Sequence, residues 1–153
     1  MADTRIRIAK DKEKLVKALR MSDDNTAPFQ SYADVLVFAA ALGMKQDRRE
    51  PIREYSKEID PIRQDIFYGK DYYQVINLLS LVNTNTPQTL AQDDKAVETK
   101  IKIFEEVANA GLEIIEEILK GSTNYSEQLL LFLNMSSSKK TDQNEEFDLT
   151  EFL

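Results

Sequence analysis

Residues 94–120 read DKAVETKIKIFEEVANAGLEIIEEILK, and this stretch sets the fold class. Its apolar positions Val97, Ile101, Phe104, Ala108, Gly111, Ile115 and Ile118 follow one another in steps of 4, 3, 4, 3, 4 and 3. A helix turns once in about 3.6 residues, so these steps hold one apolar seam along one side of a long helix. The spacing is heptad-like, the pattern of helices that pack nearly parallel or antiparallel. Gly121 follows where a C-terminal glycine belongs.

Helical signals lie on both sides of it. Asp71 with Gln74 three residues later opens YYQVINLLSLV, and Asn83 to Pro87 reads as a turn. Asp60-Pro61 is an N-cap followed by proline at the first helical position, starting a short helix that stops at Gly69. Ser31 caps a helix to about Leu42, with Asp34 as its capping-box partner, Phe29 just before it and Gly43 just after. That helix, YADVLVFAAAL, is apolar nearly all round and is expected to be the central buried element. Downstream, Asn124 and Glu127 open SEQLLLFLNM. At the other end, Thr4-Arg5-Ile6-Arg7-Ile8 alternates with period two and reads as one short strand. Asp11 to Arg20 is helical, with Leu15, Ala18 and Leu19 on one side, and Met21 to Gln30 reads as a loop. The expectation is a mainly α protein: a compact bundle of five or six helices with one short N-terminal β-strand over residues 1–135. An acidic, flexible tail then covers 136–153, starting at the linker-like Ser136-Ser137-Ser138-Lys139-Lys140.

Composition narrows the chemistry. The chain has 153 residues, one domain's worth, and 42% apolar residues suffice for one core. It holds no Cys, His or Trp, which removes zinc sites, thiolate nucleophiles, disulfide scaffolds and imidazole bases. The longest apolar run, Val35 to Leu42, falls far short of the roughly 20 residues that span a bilayer. The start, MADTRIRIAKDKEK, lacks the apolar core of a signal peptide, so a cytoplasmic, non-membrane protein is expected. Net charge is −7, unevenly spread: residues 1–53 balance at +3 and residues 54–153 at −10. An acidic protein with a local basic patch can still meet DNA, because screening confines each charge to about 8–10 Å.

No catalytic constellation stands out. Glu105, Glu106, Glu113, Glu116 and Glu117 read as a solvated helix face, since carboxylate metal bundles pair Glu with a histidine that this chain lacks. Glu98-Thr99-Lys100 has the E-x-K spacing of one nuclease class but lies on a helix, where that chemistry needs a strand. Without a glycine-rich loop, nothing cradles a nucleotide phosphate. A non-enzyme without cofactor is expected. The aromatic group Phe67, Tyr68, Tyr72 and Tyr73 reads as core rather than as a stacking platform.

Binding is the better-supported theme. The first 43 residues have the element order of a ribbon-helix-helix module, in which two chains pair strands and send outward side chains into the DNA major groove. Arg5 and Arg7 would point outward while Ile6 and Ile8 cover the core, with Lys10 close by. The helix N-terminus at Ser31 would be placed for a phosphate. Asp23 and Asp24 depart from that pattern, because they would repel phosphate. A second basic cluster, Lys45, Arg48, Arg49 and Arg53, sits on a loop. In the acidic tail, Phe147, Leu149, Phe152 and Leu153 have the spacing of a docking segment for a protein groove or a second copy of this chain.

Three stretches, RIRIAKDKEKLVKAL, PFQSYADVLVFAAALGMKQDRREPI and IFEEVANAGLEII, resemble a small family, DNA phosphorothioation-associated protein 4. The resemblance covers roughly residues 4–135, leaving the tail outside, and is most specific in FAAALG and EEVANAGLEI. Members are encoded beside genes that replace a non-bridging phosphate oxygen of DNA with sulfur, or beside linked restriction genes. The resemblance implies an accessory role in a bacterial modification, restriction and antiviral defence system. The implied partners are duplex DNA, proteins of that system or a second copy. It supplies no catalytic residues. More weakly, the N-terminal order is similar to that of the small helical DNA-binding subunit of sulfur modification. The rival expectation is a ribbon-helix-helix regulator of its own operon.

Overall fold

The computed structural model describes residues 4–20, 27–91 and 93–145. These form six α-helices: α1 Glu13–Leu19, α2 Tyr32–Lys45, α3 Gln64–Gly69, α4 Tyr73–Thr84, α5 Asp94–Leu119 and α6 Tyr125–Glu145. Two short 3-10 turns, Lys10–Lys12 and Pro87–Leu90, join the set, and the fold is mainly α as expected. The chain divides into two compact units, Met1–Glu117 and Ile118–Leu153.

Local chemistry places most of the helix ends. The Asp34 amide donates to Ser31 Oγ at 3.2 Å, so Ser31 caps α2. Asn85 adopts φ 54° just past α4, and its amide closes on the Leu81 carbonyl at 2.8 Å. After α5, Gly121 takes φ 78°, a conformation in which a side chain is strained. In the second unit, Asn124 Oδ1 accepts from the Glu127 amide at 3.1 Å and starts α6, which continues through the serine-lysine stretch to Glu145.

Within the first unit the most enclosed element is α5, not α2. Residues 103–112 are buried without a break. Phe104 meets Phe67 of α3 edge-to-face at 5.6 Å, and Ile101, Val107, Leu112 and Ile115 join Ile6, Val16, Leu19, Leu36, Ile76 and Leu79 in the core. α2 crosses α5 at bare backbone: a Cβ built on Gly111 would overlap the Ala39 carbonyl oxygen, and one built on Gly43 would overlap that of Val107. Gly43 therefore lies inside α2, where only a missing side chain lets the helices touch, and is not the terminator that its place in the sequence suggests.

Two other expectations are corrected. Among the described residues there is no N-terminal strand, only isolated antiparallel bridges Ile6–Ile62 and Ala9–Tyr55. The partner segment loops out between them, where the Ile59 amide turns back to Ser56 Oγ, and Pro61 offers no amide to extend a ladder. The predicted alternation survives: Ile6 and Ile8 are buried, Arg5 and Arg7 exposed. The short helix starts at Gln64 after Arg63 rather than at Pro61, because Ile62 is engaged with Ile6 through two backbone hydrogen bonds.

Candidate functional site

Three of the predicted basic residues, Arg7, Arg48 and Arg49, converge on α5. Glu106, Asn109 and Glu113 recur there at steps of 3 and 4, which sets them on one face of the helix. The loop after α2 lies along that stripe. Arg49 Nη2 and Nε both donate to Glu106 Oε1, at 2.6 and 2.8 Å, and Arg48 Nη2 donates to Glu113 Oε2 at 3.2 Å. Between these pairs, Asn109 Nδ2 donates to the Glu50 carbonyl at 3.2 Å, and the Glu50 amide donates to the Glu106 carbonyl at 3.1 Å. The loop is thus fastened to the helix by side chains and backbone together.

On the neighbouring face sits Glu105. The Arg7 amide donates to its Oε2 at 2.6 Å and Arg7 Nε does so at 3.3 Å. The same guanidinium donates to the Tyr55 hydroxyl at 3.0 Å and stacks 3.8 Å from the Tyr55 ring centre. The Glu105 side chain is only 1% exposed, and its Oε1 has no hydrogen-bond partner among the described residues. Burial pushes its carboxyl above the usual range, although the Arg7 amide and guanidinium pull the other way. Glu105 and Glu106 are therefore buried and ion-paired, not a solvated face, because arginines far away in sequence fold onto them.

The remaining predicted residues are placed as follows. Lys10 pairs loosely with Glu54 at 3.6 Å, both exposed. Arg5, Lys45 and Arg53 are exposed. Ser31 is not an open phosphate cradle, since Asp34 already sits at that helix end. Lys70 Nζ donates to Ser31 Oγ at 3.1 Å and to Asp34 Oδ1 at 3.2 Å, and the Tyr72 hydroxyl donates to the same oxygen at 2.7 Å. Burial alone would raise the Asp34 carboxyl, but Tyr72, Lys70 and Ser31 together hold it below the usual range. Phe147, Leu149, Phe152 and Leu153 lie outside the described residues. Of the aromatic group, Phe67 and Tyr73 are buried while Tyr68 is half exposed.

Three features escape a reading of the sequence. Lys100 is fully buried, donating to Asn77 Oδ1 at 3.1 Å with its ammonium 5.0 Å from the Tyr73 ring, and burial lowers its pKa. A cleft of about 670 Å3 opens among the Lys10–Lys12 turn, the Glu50–Glu54 stretch and the Asn109–Glu113 side of α5. A second, of about 530 Å3, lies among Arg5, Arg7, Pro61, Glu98, Lys102 and Glu105. Only the first cleft has a hint in the sequence, the 3-and-4 spacing of Glu106, Asn109 and Glu113 opposite an Arg-Arg pair.

No group of three or more metal-ligating side chains is found among the described residues, and no helix among them is long and apolar enough to cross a membrane. Nothing among curated proteins and nothing among solved structures matches the chain. A family model does match, over residues 5–152, so the tail beyond Met135 falls inside the family's extent rather than outside it. With nearly the whole length covered, this chain belongs to the family described as DNA sulphur modification system-associated protein 4.

Proposed function

We propose that this chain is a non-catalytic accessory protein of the DNA sulphur modification system, working by holding a protein component of that system. The observation that carries the reading is the surface of α6. Residues 129–135 read LLLFLNM, yet only Leu129 is buried, and Leu130, Leu131, Leu133 and Met135 are all exposed. A helical turn that is apolar on every side, as residues 129–133 are, is ordinarily enclosed, and a contiguous exposed apolar patch marks an interaction surface. Charge supports the same choice: Arg7, Arg48 and Arg49 are each answered by a glutamate of this chain, which weakens their attraction for phosphate. The family's association with a DNA sulphur modification system makes a component of that system the natural candidate for what the surface holds.

A second reading keeps DNA as the ligand. Lys45 and Arg53 are exposed and have no ion partner among the described residues, and Arg5 is exposed beside them in sequence terms of the basic N-terminal half. Its ribbon-helix-helix form fits less well. Such a ribbon needs a strand edge free for a second chain, whereas the Ile6 amide and carbonyl bond Ile62 and the Arg7 amide bonds Glu105.

Co-purification of the full chain with the proteins of its system separates the readings. The expected result is capture of one component, lost on Leu130→Lys/Leu131→Lys, with no steep salt dependence of duplex binding. Duplex binding that falls with a log–log salt slope near −0.9 per phosphate, is lost in Lys45→Glu/Arg53→Glu and comes with no captured protein would replace it with the DNA reading.

A further inference from the structure

In a chain of which 31% is charged, residues 72–92, YYQVINLLSLVNTNTPQTLAQ, carry no charge at all. The stretch builds α4 and, after the left-handed turn at Asn85, the short 3-10 turn Pro87–Leu90 that folds back against it. The inner side of α4 is taken up by the core: Tyr73, Ile76, Leu79 and Ser80 are buried, and Asn77 holds the Lys100 ammonium. The outer side lacks the charges of an ordinary solvated helix face. Gln74, Leu78 and Val82 follow at steps of four and are exposed, Leu78 by 49% and Val82 by 57%. Val75 and Leu81 beside them are half-buried.

The same part of the molecule collects further exposed apolar groups. Among the described residues of the first unit, the large apolar side chains left exposed are Ile66, Tyr68, Leu78, Val82 and Leu90. All lie on α3, on α4 or on the turn packed beside α4. Tyr68 stacks on Tyr73 with 4.1 Å between ring centres, which ties the α3 end of this surface to the start of α4. Exposed apolar surface gathered in one place marks an interface.

The absence of charge selects the occupant. A nucleic acid, an anionic membrane or an acidic peptide is met by cations, and this stretch has none. A foreign protein is ordinarily steered and selected by complementary charge, which this face does not offer. A second copy has the opposite requirement. In a two-fold contact each face meets itself, so a charge near the axis is brought up to its own equivalent, of the same sign. For two chains of net charge −7, a neutral face is the one that meets itself without repulsion. Its exposed amides suit the same use, since Gln74 and Asn83 each donate and accept. We propose that two copies of this chain associate through α4, antiparallel about a two-fold axis near Leu78 at the middle of the helix. Leu78 then meets its own equivalent, and Val82 lies toward the Gln74 and Val75 end of the other copy. This surface belongs to the first unit and the α6 surface to the second, so the proposal does not depend on the accessory reading.

Sedimentation equilibrium of the full chain between about 1 and 100 μM tests it. A reversible dimer is expected, with a dissociation constant inside that range, because a patch built on one short helix is a small interface. Leu78→Glu and Leu78→Lys should each weaken the dimer about tenfold or more. Leu130→Lys/Leu131→Lys should leave it unchanged. Leu78 is half exposed, so helical circular dichroism and the melting temperature of both Leu78 variants should stay near the parent's. An equimolar mixture of Leu78→Glu and Leu78→Lys should associate more tightly than either alone, because the axis then sets a carboxylate against an ammonium. Four results would overturn the proposal: a monomer throughout the range, a dimer that survives both Leu78 variants, a mixture no tighter than its components, or a monomeric chain that captures a different protein through Leu78.

Discussion

Two faces of α5 meet their neighbours in opposite ways. On one, Gly111 and Val107 lie directly on the backbone of α2 at Ala39 and Gly43, with no side chain at the closest points. On the other, Glu106, Asn109 and Glu113 reach a loop through charged and amide groups, and the guanidinium of Arg49 remains 39% exposed. At 100° per residue, Gly111 stands about 140° around the axis from Glu106, so the same helix serves both contacts without conflict. The difference is one of tolerance. Bare backbone at van der Waals contact cannot yield, whereas a half-solvated ion pair can be replaced by water. The first face fixes where α5 lies, and the second fixes what the surrounding loops present.

The largest effect should follow from placing an atom in the tight contact. Gly111→Ala sets a Cβ against the Ala39 carbonyl, Cα and carbonyl carbon, all backbone. Overpacking of this kind costs typically 1–3 kcal/mol, and with no flexible side chain to move aside, we expect about 3 kcal/mol or more. Urea unfolding of Gly111→Ala beside Gly69→Ala, whose Cβ would meet nothing within 4 Å, measures it. Equal stability of the two variants would mean that the helices do not touch as described.

The ion-paired face should respond less. Glu106→Ala leaves Arg49 without its carboxylate, but the guanidinium can turn to water, so the loss should be about 1–2 kcal/mol rather than that of a fully buried pair. A double-mutant cycle with Arg49→Ala isolates the coupling. The same cycle on the exposed Lys10–Glu54 pair should return under about 0.5 kcal/mol. Comparable couplings at both places would erase the distinction between a seam that orders the loop and an ordinary surface contact.

Which parts of this were legible in the sequence follows from the range of the forces involved. The span of α5, the Ser31 and Asn124 caps and the left-handed turn at Gly121 depend on residues within a few positions of each other, and the sequence carries them openly. Gly43 misled because a glycine that ends a helix and a glycine that admits a neighbouring helix look alike until the neighbour, 64 positions on at Val107, is in place. Glu105 and Glu106 were hidden for the same reason: their arginines lie 98 and 57 residues away. The arginines themselves were visible as a basic half, but their use was not, since a cation facing DNA and a cation facing its own chain have the same local sequence.

The pH dependence of stability sharpens the comparison most finely, because two carboxylates should act with opposite sign. Asp34 is held below its ordinary 3.8, so its contribution is present above that value and is lost as pH falls through the folded-state value. Glu105 is raised above its ordinary 4.5, so the folded state holds its proton longer than the unfolded chain does. Stability from that source is complete below 4.5 and declines as pH rises through the folded-state value. Glu105→Gln keeps an oxygen for the Arg7 amide and removes the titration, so it should flatten this decline above pH 4.5 and match or exceed the parent at neutrality. Asp34→Asn should do the opposite, costing stability at neutral pH and progressively less as pH falls below 3.8. Parallel shifts in both variants would mean that Glu105 is stabilised as a carboxylate by Arg7. The charged face would then be a source of stability in its own right, and not a charge enclosed at a cost for the sake of what it positions.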